Sequence, residues 1–289
     1  MQDQSFDAIV VGSGITGGWA AKELTERGLR VVMVERGPDV QHGDYPTEHQ
    51  AIQNFRYRML GDQRRYAARY PKQSSSWFFN EATERYFVDD VDNPYTEEKP
   101  FSWVRGHQVG GRSLMWGRQS YRWAPLNFEE NGIDGHGVDW PSRYDDLAPW
   151  YDHVEKFIGV SGSPLDHPMA PDGIFQKPMS MNVAELDLQK RLAAIWPDRP
   201  LSMARAANLT EQLGDDRSPC HYCGPCERGC SAGAYFSTQS STLPAAIKTG
   251  RLTMATGSIV QRVLTNRDGT RATGVEVIDA ATRQVRTIK

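Results

Sequence analysis

The stretch from Phe6 to Glu35 constrains this chain more than any other. Phe6-Asp7-Ala8-Ile9-Val10-Val11 runs into Gly12-Ser13-Gly14-Ile15-Thr16-Gly17, and a second apolar run, Val31-Val32-Met33-Val34, closes on Glu35-Arg36. A strand, a glycine turn, a helix and a second strand ending in an acid form the βαβ signature of a dinucleotide site. Gly12 permits the tight turn, Gly14 lets the backbone approach a pyrophosphate, and Gly17 lets the helix lie close on the strand. The helix start, through Ile15 and Thr16, offers unpaired N–H groups and a positive dipole end to phosphates. Glu35 is placed to accept hydrogen bonds from ribose hydroxyls. The helix is expected over Thr16–Arg27, small where it meets the sheet and stopped by Gly28.

Bulk properties exclude several classes. The chain has 289 residues, enough for one large domain or two smaller ones. A net charge of −3 and a pI near 6.2 argue against a nucleic-acid partner. Pairs such as Arg64-Arg65 read as solvated face. No apolar run is long enough to span a membrane. Met1-Gln2-Asp3-Gln4 has neither a basic n-region nor an apolar h-region, so no cleaved secretion signal is expected. Many aromatics lie between residues 77 and 157. They would suit a sugar-stacking cleft, but core packing is expected to account for most.

All four cysteines fall between positions 220 and 230. A secreted disulfide scaffold scatters its cysteines, whereas this concentration points to a metal or redox site in a reducing compartment. The spacing is Cys220-x2-Cys223-x2-Cys226-x3-Cys230, with Gly224, Pro225 and Gly229 to supply turns. Short loops of this kind wrap thiolates around an iron–sulfur cluster, as in bacterial ferredoxins. In two-cluster ferredoxins the fourth cysteine serves the other cluster. A three-iron cluster with Cys223 or Cys230 as bystander and a four-iron cluster completed from elsewhere therefore both stand. Zinc is one alternative, although it usually takes two separated CxxC knuckles, and reduced structural cysteines or disulfides are the other. His221 reads as exposed or supporting.

Elsewhere the pattern is coarser. Residues 37–102 read as long polar excursions, with a helix over Glu48–Leu60. Trp103 to Gly117 contains a second glycine turn, Gly110-Gly111-Arg112-Ser113, placed after a short strand. Residues 141–161 have helical spacing, read as a helix pair split by Pro149. Residues 162–180 read as loop and Ala184–Trp196 as helix. Leu252–Thr256 reads as a strand returning to the sheet. Ile259–Leu264 and Gly274–Ile278 follow as strands around an Asp268-Gly269 turn.

These motifs together resemble the glucose–methanol–choline (GMC) family of FAD oxidoreductases, and most of all its bacterial sugar, gluconate and sorbitol dehydrogenase branch. The resemblance rests on Val11-Gly12-Ser13-Gly14 with Glu35-Arg36-Gly37, on Gly110 to Gly117, on Trp140-Pro141 with Tyr144-Asp145-Asp146-Leu147, and on Gly274-Val275. The cysteine run resembles the cluster loop of that branch. The implied fold is an α/β, Rossmann-like FAD-binding βαβ domain of the two-dinucleotide-binding flavoprotein type. It carries long helical and loop insertions and is truncated before the substrate-binding antiparallel sheet is complete. The expected divisions are 1–40, the FAD-binding start; 41–140, an insertion with the second flavin-contacting loop; 141–218, a helical and loop part of the substrate region; 219–240, the cysteine loop; and 241–289, an incomplete return to the FAD domain.

By this resemblance Gly12, Gly14, Ile15, Thr16, Gly17, Glu35 and Arg36 hold the ADP half of a non-covalent FAD. Gly110, Gly111, Ser113 and Met115 lie beside the pyrophosphate or flavin, and Val260 offers its backbone to the adenine. Arg112 and Trp116 depart from residues common in the family, and no His lies in Ser113-Leu114-Met115-Trp116 for a covalent flavin link. The family's catalytic His and its partner lie in a C-terminal half beyond Lys289, so no catalytic residue is assigned and a gene fragment, inactive and fragile alone, is expected. The implied activity is dehydrogenation of a CH–OH group of a sugar or other alcohol, with electrons leaving through the cluster to a cytochrome c or quinone. A small subunit is a possible partner. The alternatives are a non-catalytic FAD and iron–sulfur electron-transfer subunit and an NAD-linked Rossmann dehydrogenase. The expected location is cytoplasmic, or periplasmic if a signal-bearing partner exports the folded chain.

Overall fold

The structure, a computed structural model, describes residues 5–289. Its elements in chain order are β1 (Ala8–Val11), α1 (Ile15–Glu26), β2 (Val31–Val34), α2 (Pro46–His49), α3 (Gln63–Arg69), α4 (Leu126–Asp134), α5 (Tyr144–Ile158), β3 (Val160–Ser161), β4 (Phe175–Gln176), α6 (Val183–Ile195), α7 (Thr242–Lys248), β5 (Leu252–Ala255), β6 (Ser258–Thr265), β7 (Ala272–Asp279) and β8 (Val285–Ile288). The chain divides into two compact units. The first holds residues up to 116, 224–231 and everything from 237; the second holds 117–223 and 232–236.

The first unit is built on a parallel sheet of order β1-β2-β5. Val31 pairs with both Ala8 and Leu252, which makes β2 the central strand. All four β2 residues are buried, and their alternation sorts them to two faces. Val31 and Met33 pack with Val10, Ala21, Leu243 and Ala246 on the side of α1 and α7. Val32 and Val34 pack with Val275, Val277 and Ile288 of the β6-β7-β8 antiparallel sheet. The returning strand expected at Leu252–Thr256 is β5, parallel to β2.

The second unit is organised by two buried arginines. Arg122 bonds Glu155 and Asp152, with Nη2–Oδ1 of Asp152 at 2.6 Å, and reaches the Tyr144 hydroxyl at 3.4 Å. Arg205 bonds Asp172 at 2.6 Å and the carbonyls of Ala170 and Pro171. Asp172 also accepts from the N–H groups of Leu165 and Asp166, which strap the 162–180 loop together.

Several expectations fail for physical reasons. Glu48–Leu60 is not one helix: α2 stops at His49, a single 3₁₀ turn covers Ile52–Asn54, and Arg58 and Met59 adopt positive φ. The Glu81 carboxylate accepts the N–H groups of Tyr57 and Met59, so a remote side chain takes donors that a helix would use. α5 runs unbroken through Pro149. Arg122 grips it at Tyr144 and again at Asp152 and Glu155, on both sides of the proline, which offsets the missing hydrogen bond. No strand precedes the second glycine turn. Gln73 stands in for a strand partner there, accepting from the Arg105 N–H and donating to the Trp103 carbonyl. The strand β8 is unexpected from sequence. No tryptophan is buried, and Trp77, Trp123, Trp140 and Trp150 are exposed. The aromatics that enter the core are tyrosine and phenylalanine, with Tyr45, Tyr86 and Phe87 in one cluster beside Leu114 and Met115. Among the described residues no helix is long and apolar enough to cross a membrane.

Candidate dinucleotide site

Every feature of this site lies within the first unit. The turn after β1 leaves Gly12 at φ 89°, a left-handed conformation that disfavours a side chain. A Cβ added at Gly12 or Gly14 would meet no protein atom within 4 Å, so both glycines face open space. A Cβ at Gly17 would collide with the Gly12 carbonyl. Two glycines leave room, and the third lets α1 press on the turn. Ile15 and Thr16 form the exposed first turn of α1.

Glu35 is buried at the end of β2. Its Oε2 accepts from the Ser13 N–H at 3.0 Å and the Ser13 hydroxyl at 2.6 Å, and its Oε1 accepts from the Gly37 N–H at 2.8 Å. A carboxylate has about four lone-pair positions, so one remains for a ligand hydroxyl. A cavity of about 310 Å³ opens here, lined by Gly12, Glu35, Arg36, Gly111, Ile259 and Val260 among others. Arg36 Nη2 donates to Asn93 at 2.5 Å, while its buried Nε has no partner. Val260 belongs to β6, an edge strand whose other side pairs with β7.

A second cavity of about 360 Å³ shares Arg36 and Ile259 with the first and includes His107. Burial, reinforced by the Arg36 charge, holds the His107 imidazole below the ordinary histidine range. His107, Gln108 and Ile259 escaped sequence reasoning as lining residues because nothing in their spacing marks them.

The second glycine turn is closed where the first is open. Gly110 has φ 83° and a Cβ there would collide with the Gln239 amide. A Cβ at Gly111 would come within 3.4 Å of Gly14 Cα, so the two turns touch through glycines. Ser113 and Met115 have no exposed surface. Ser113 donates to the Gly110 carbonyl at 2.6 Å, and Met115 sits in the aromatic core. As placed, they hold the loop and present no atom to the cavity.

Gly224 and Gly229 make the anticipated turns at φ 95° and 113°, and the Tyr222 N–H donates to Cys220 Sγ at 3.4 Å. Gly229 lies against the buried ring of Tyr45, whose hydroxyl burial holds well above its usual pKa. No disulfide joins the thiols. Cys220 and Cys223 fall in the second unit, and Cys226 and Cys230 in the first. Among the described residues no three His, Cys, Asp or Glu side chains gather where a metal could be held. The thiols as they stand are not gathered into a seat for a cluster or a zinc ion. The metal reading rests on spacing alone.

This combination of βαβ turn, terminal acid and touching second loop is that of a flavoprotein dinucleotide fold, and the chain belongs to the GMC oxidoreductase family, whose model matches residues 6–289. The chain is similar to the gluconate 2-dehydrogenase flavoprotein of Pantoea cypripedii, 28% identical over 316 residues covering 98% of this chain and 49% of that protein. It is also similar to the fructose dehydrogenase large subunit of Gluconobacter japonicus, 28% identical over 181 residues covering 61% of this chain and 31% of that one. In fold it resembles pyridoxine 4-oxidase from Mesorbium loti, with a TM-score of 0.50 at 21% identity, covering 98% of this chain and 47% of that structure. The chain thus spans about half the length, or less, of the curated relatives it matches.

Proposed function

We propose that this chain is the FAD-binding portion of an oxidoreductase acting on the CH–OH group of a sugar or related alcohol. The observation that carries the reading is the cavity at Glu35. It draws Gly12, Glu35, Arg36, Gly111 and Val260 from four separate segments around one space. Open room at Gly12 and Gly14 and the unpartnered Arg36 Nε fit an ADP moiety with its pyrophosphate against the turn. In this role Glu35 orients the ribose, the α1 N-terminus steadies the phosphates, and Gly111 lets the second loop close over them. When bound, the flavin supplies the acceptor for hydride from the carbinol carbon. Support for a sugar or other polyol comes from the gluconate and fructose dehydrogenases among the relatives. Exposed Trp123 and Trp140, edge to face at 5.6 Å, suit stacking on sugar rings.

Iron–sulfur ligation by Cys220, Cys223, Cys226 and Cys230, and with it transfer to a cytochrome or quinone, is supported only by their spacing, and no electron path is drawn through them. Titrating the purified chain with FAD and following flavin fluorescence tests the reading. Saturable quenching that Glu35→Gln weakens at least tenfold is expected; no quenching overturns it. Iron and sulfide analysis after anaerobic purification decides the cysteine run.

A further inference from the structure

Ser13 and Ser113 occupy the middle of a hydrogen-bonded line that crosses the first unit. The Thr238 N–H donates to Ser113 Oγ at 3.0 Å, and the Ser113 hydroxyl donates to the Gly110 carbonyl at 2.6 Å. The Gly110 N–H donates to Ser13 Oγ at 2.9 Å, and the Ser13 hydroxyl donates to Glu35 Oε2 at 2.6 Å. The direction is forced at every step. Backbone N–H groups only donate, and carbonyls and carboxylates only accept, so neither hydroxyl can turn round. Both serines are fully buried, which leaves water no part in the line. Hydrogen bonds running one way polarise one another, and this line ends on a charge. Its one covalent hinge is Gly110, fixed at positive φ with Gln239 against it.

We infer that Ser13 and Ser113 are positioning residues that couple the ligand seat at Glu35 to the segment starting at Thr238, at the C-terminal end of the cysteine loop. This rests on the dinucleotide reading above. A ligand hydroxyl donating to Glu35 competes for the same carboxylate charge that the Ser13 hydroxyl uses. Occupancy at Glu35 is therefore felt at Gly110, and through Ser113 at Thr238. Ser13→Ala strands the buried Gly110 N–H and removes one of the three bonds that hold Glu35, whereas a residue that merely fills space would do neither.

The test is amide hydrogen exchange on the full chain, with and without ADP as the probe. In the wild type, ADP changes exchange at both Gly110 and Thr238. Ser13→Ala, by loosening the hold on Glu35, weakens ADP binding about tenfold. At saturating ADP it abolishes the response at Thr238. Ser113→Ala, which does not touch Glu35, also uncouples Thr238 from ADP. A Thr238 response that survives both substitutions overturns the inference. A ligand-free arm separates this outcome from failure of the dinucleotide reading. If ADP does not bind the wild type, that reading falls, and the coupling is then judged by Ser13→Ala alone. Faster exchange at Thr238, relative to the amides of β2, supports it, although Ser13 does not bond Thr238. Unchanged relative exchange refutes it.

Discussion

The two glycine turns are made from similar residues and do opposite things. At the first, Gly12 and Gly14 look into empty space, and only Gly17 is pressed against protein. At the second, Gly110 is packed against Gln239, and Ser113 is sealed in a line of hydrogen bonds. One turn reserves room for something else; the other uses its lack of side chains to bring parts of the same chain together. Glycine density therefore locates close approach without saying who approaches. That is decided by whether the space a Cβ would occupy is vacant or already filled.

Substitutions at these glycines sharpen the contrast. The largest effect is expected for Gly17→Ala, where the new methyl meets a backbone carbonyl that cannot swing aside. A loss of about 3 kcal/mol in urea unfolding is expected. Gly110→Ala combines positive φ with displacement of the Gln239 amide and is expected to lower stability by about 2 kcal/mol. Gly14→Ala should be nearly silent in unfolding, within about 0.5 kcal/mol. Its methyl would fill the proposed seat of the pyrophosphate, and calorimetry should show ADP affinity falling about tenfold. If Gly14→Ala were as destabilising as Gly110→Ala, the distinction between open and closed turns would collapse.

The smallest effect concerns pH. Burial and the Arg36 charge hold His107 below its ordinary range, so the folded protein binds fewer protons there than the unfolded chain. Stability from this group is present above the ordinary histidine range and declines as pH falls through it. His107→Asn should flatten that acid-side slope in a pH series of unfolding curves, and an unaltered slope would place the titration elsewhere.

The opening βαβ unit was legible because local sequence and tertiary packing agree there. Val31 to Val34 had to be a buried strand, and Glu35 could only fall at its end. The returning strand at Leu252 and the alternation at Gly274–Ile278 were legible for the same reason. What escaped reading depends on partners remote in sequence. Glu81 takes the amides of Tyr57 and Met59, Gln73 substitutes for a strand beside Trp103 and Arg105, and Arg122 holds α5 straight through Pro149. None of these has a periodicity of its own. The full burial of Ser113 and Met115 was not legible either, because a motif marks position in the loop and not how deeply each side chain is packed.

The helix α6 has a well-made start, with Asn182 and Glu185 capping each other, yet none of its residues is buried. Val183, Leu186, Leu188 and Ile195 all stand exposed along it. A lone helix of this length is marginal in water, since caps alone supply little against the entropy of ordering it. It should open far more readily than the rest of its unit. Brief trypsin treatment under native conditions would then nick the chain first after Lys190 or Arg191, leaving the strapped 162–180 loop and the βαβ unit whole.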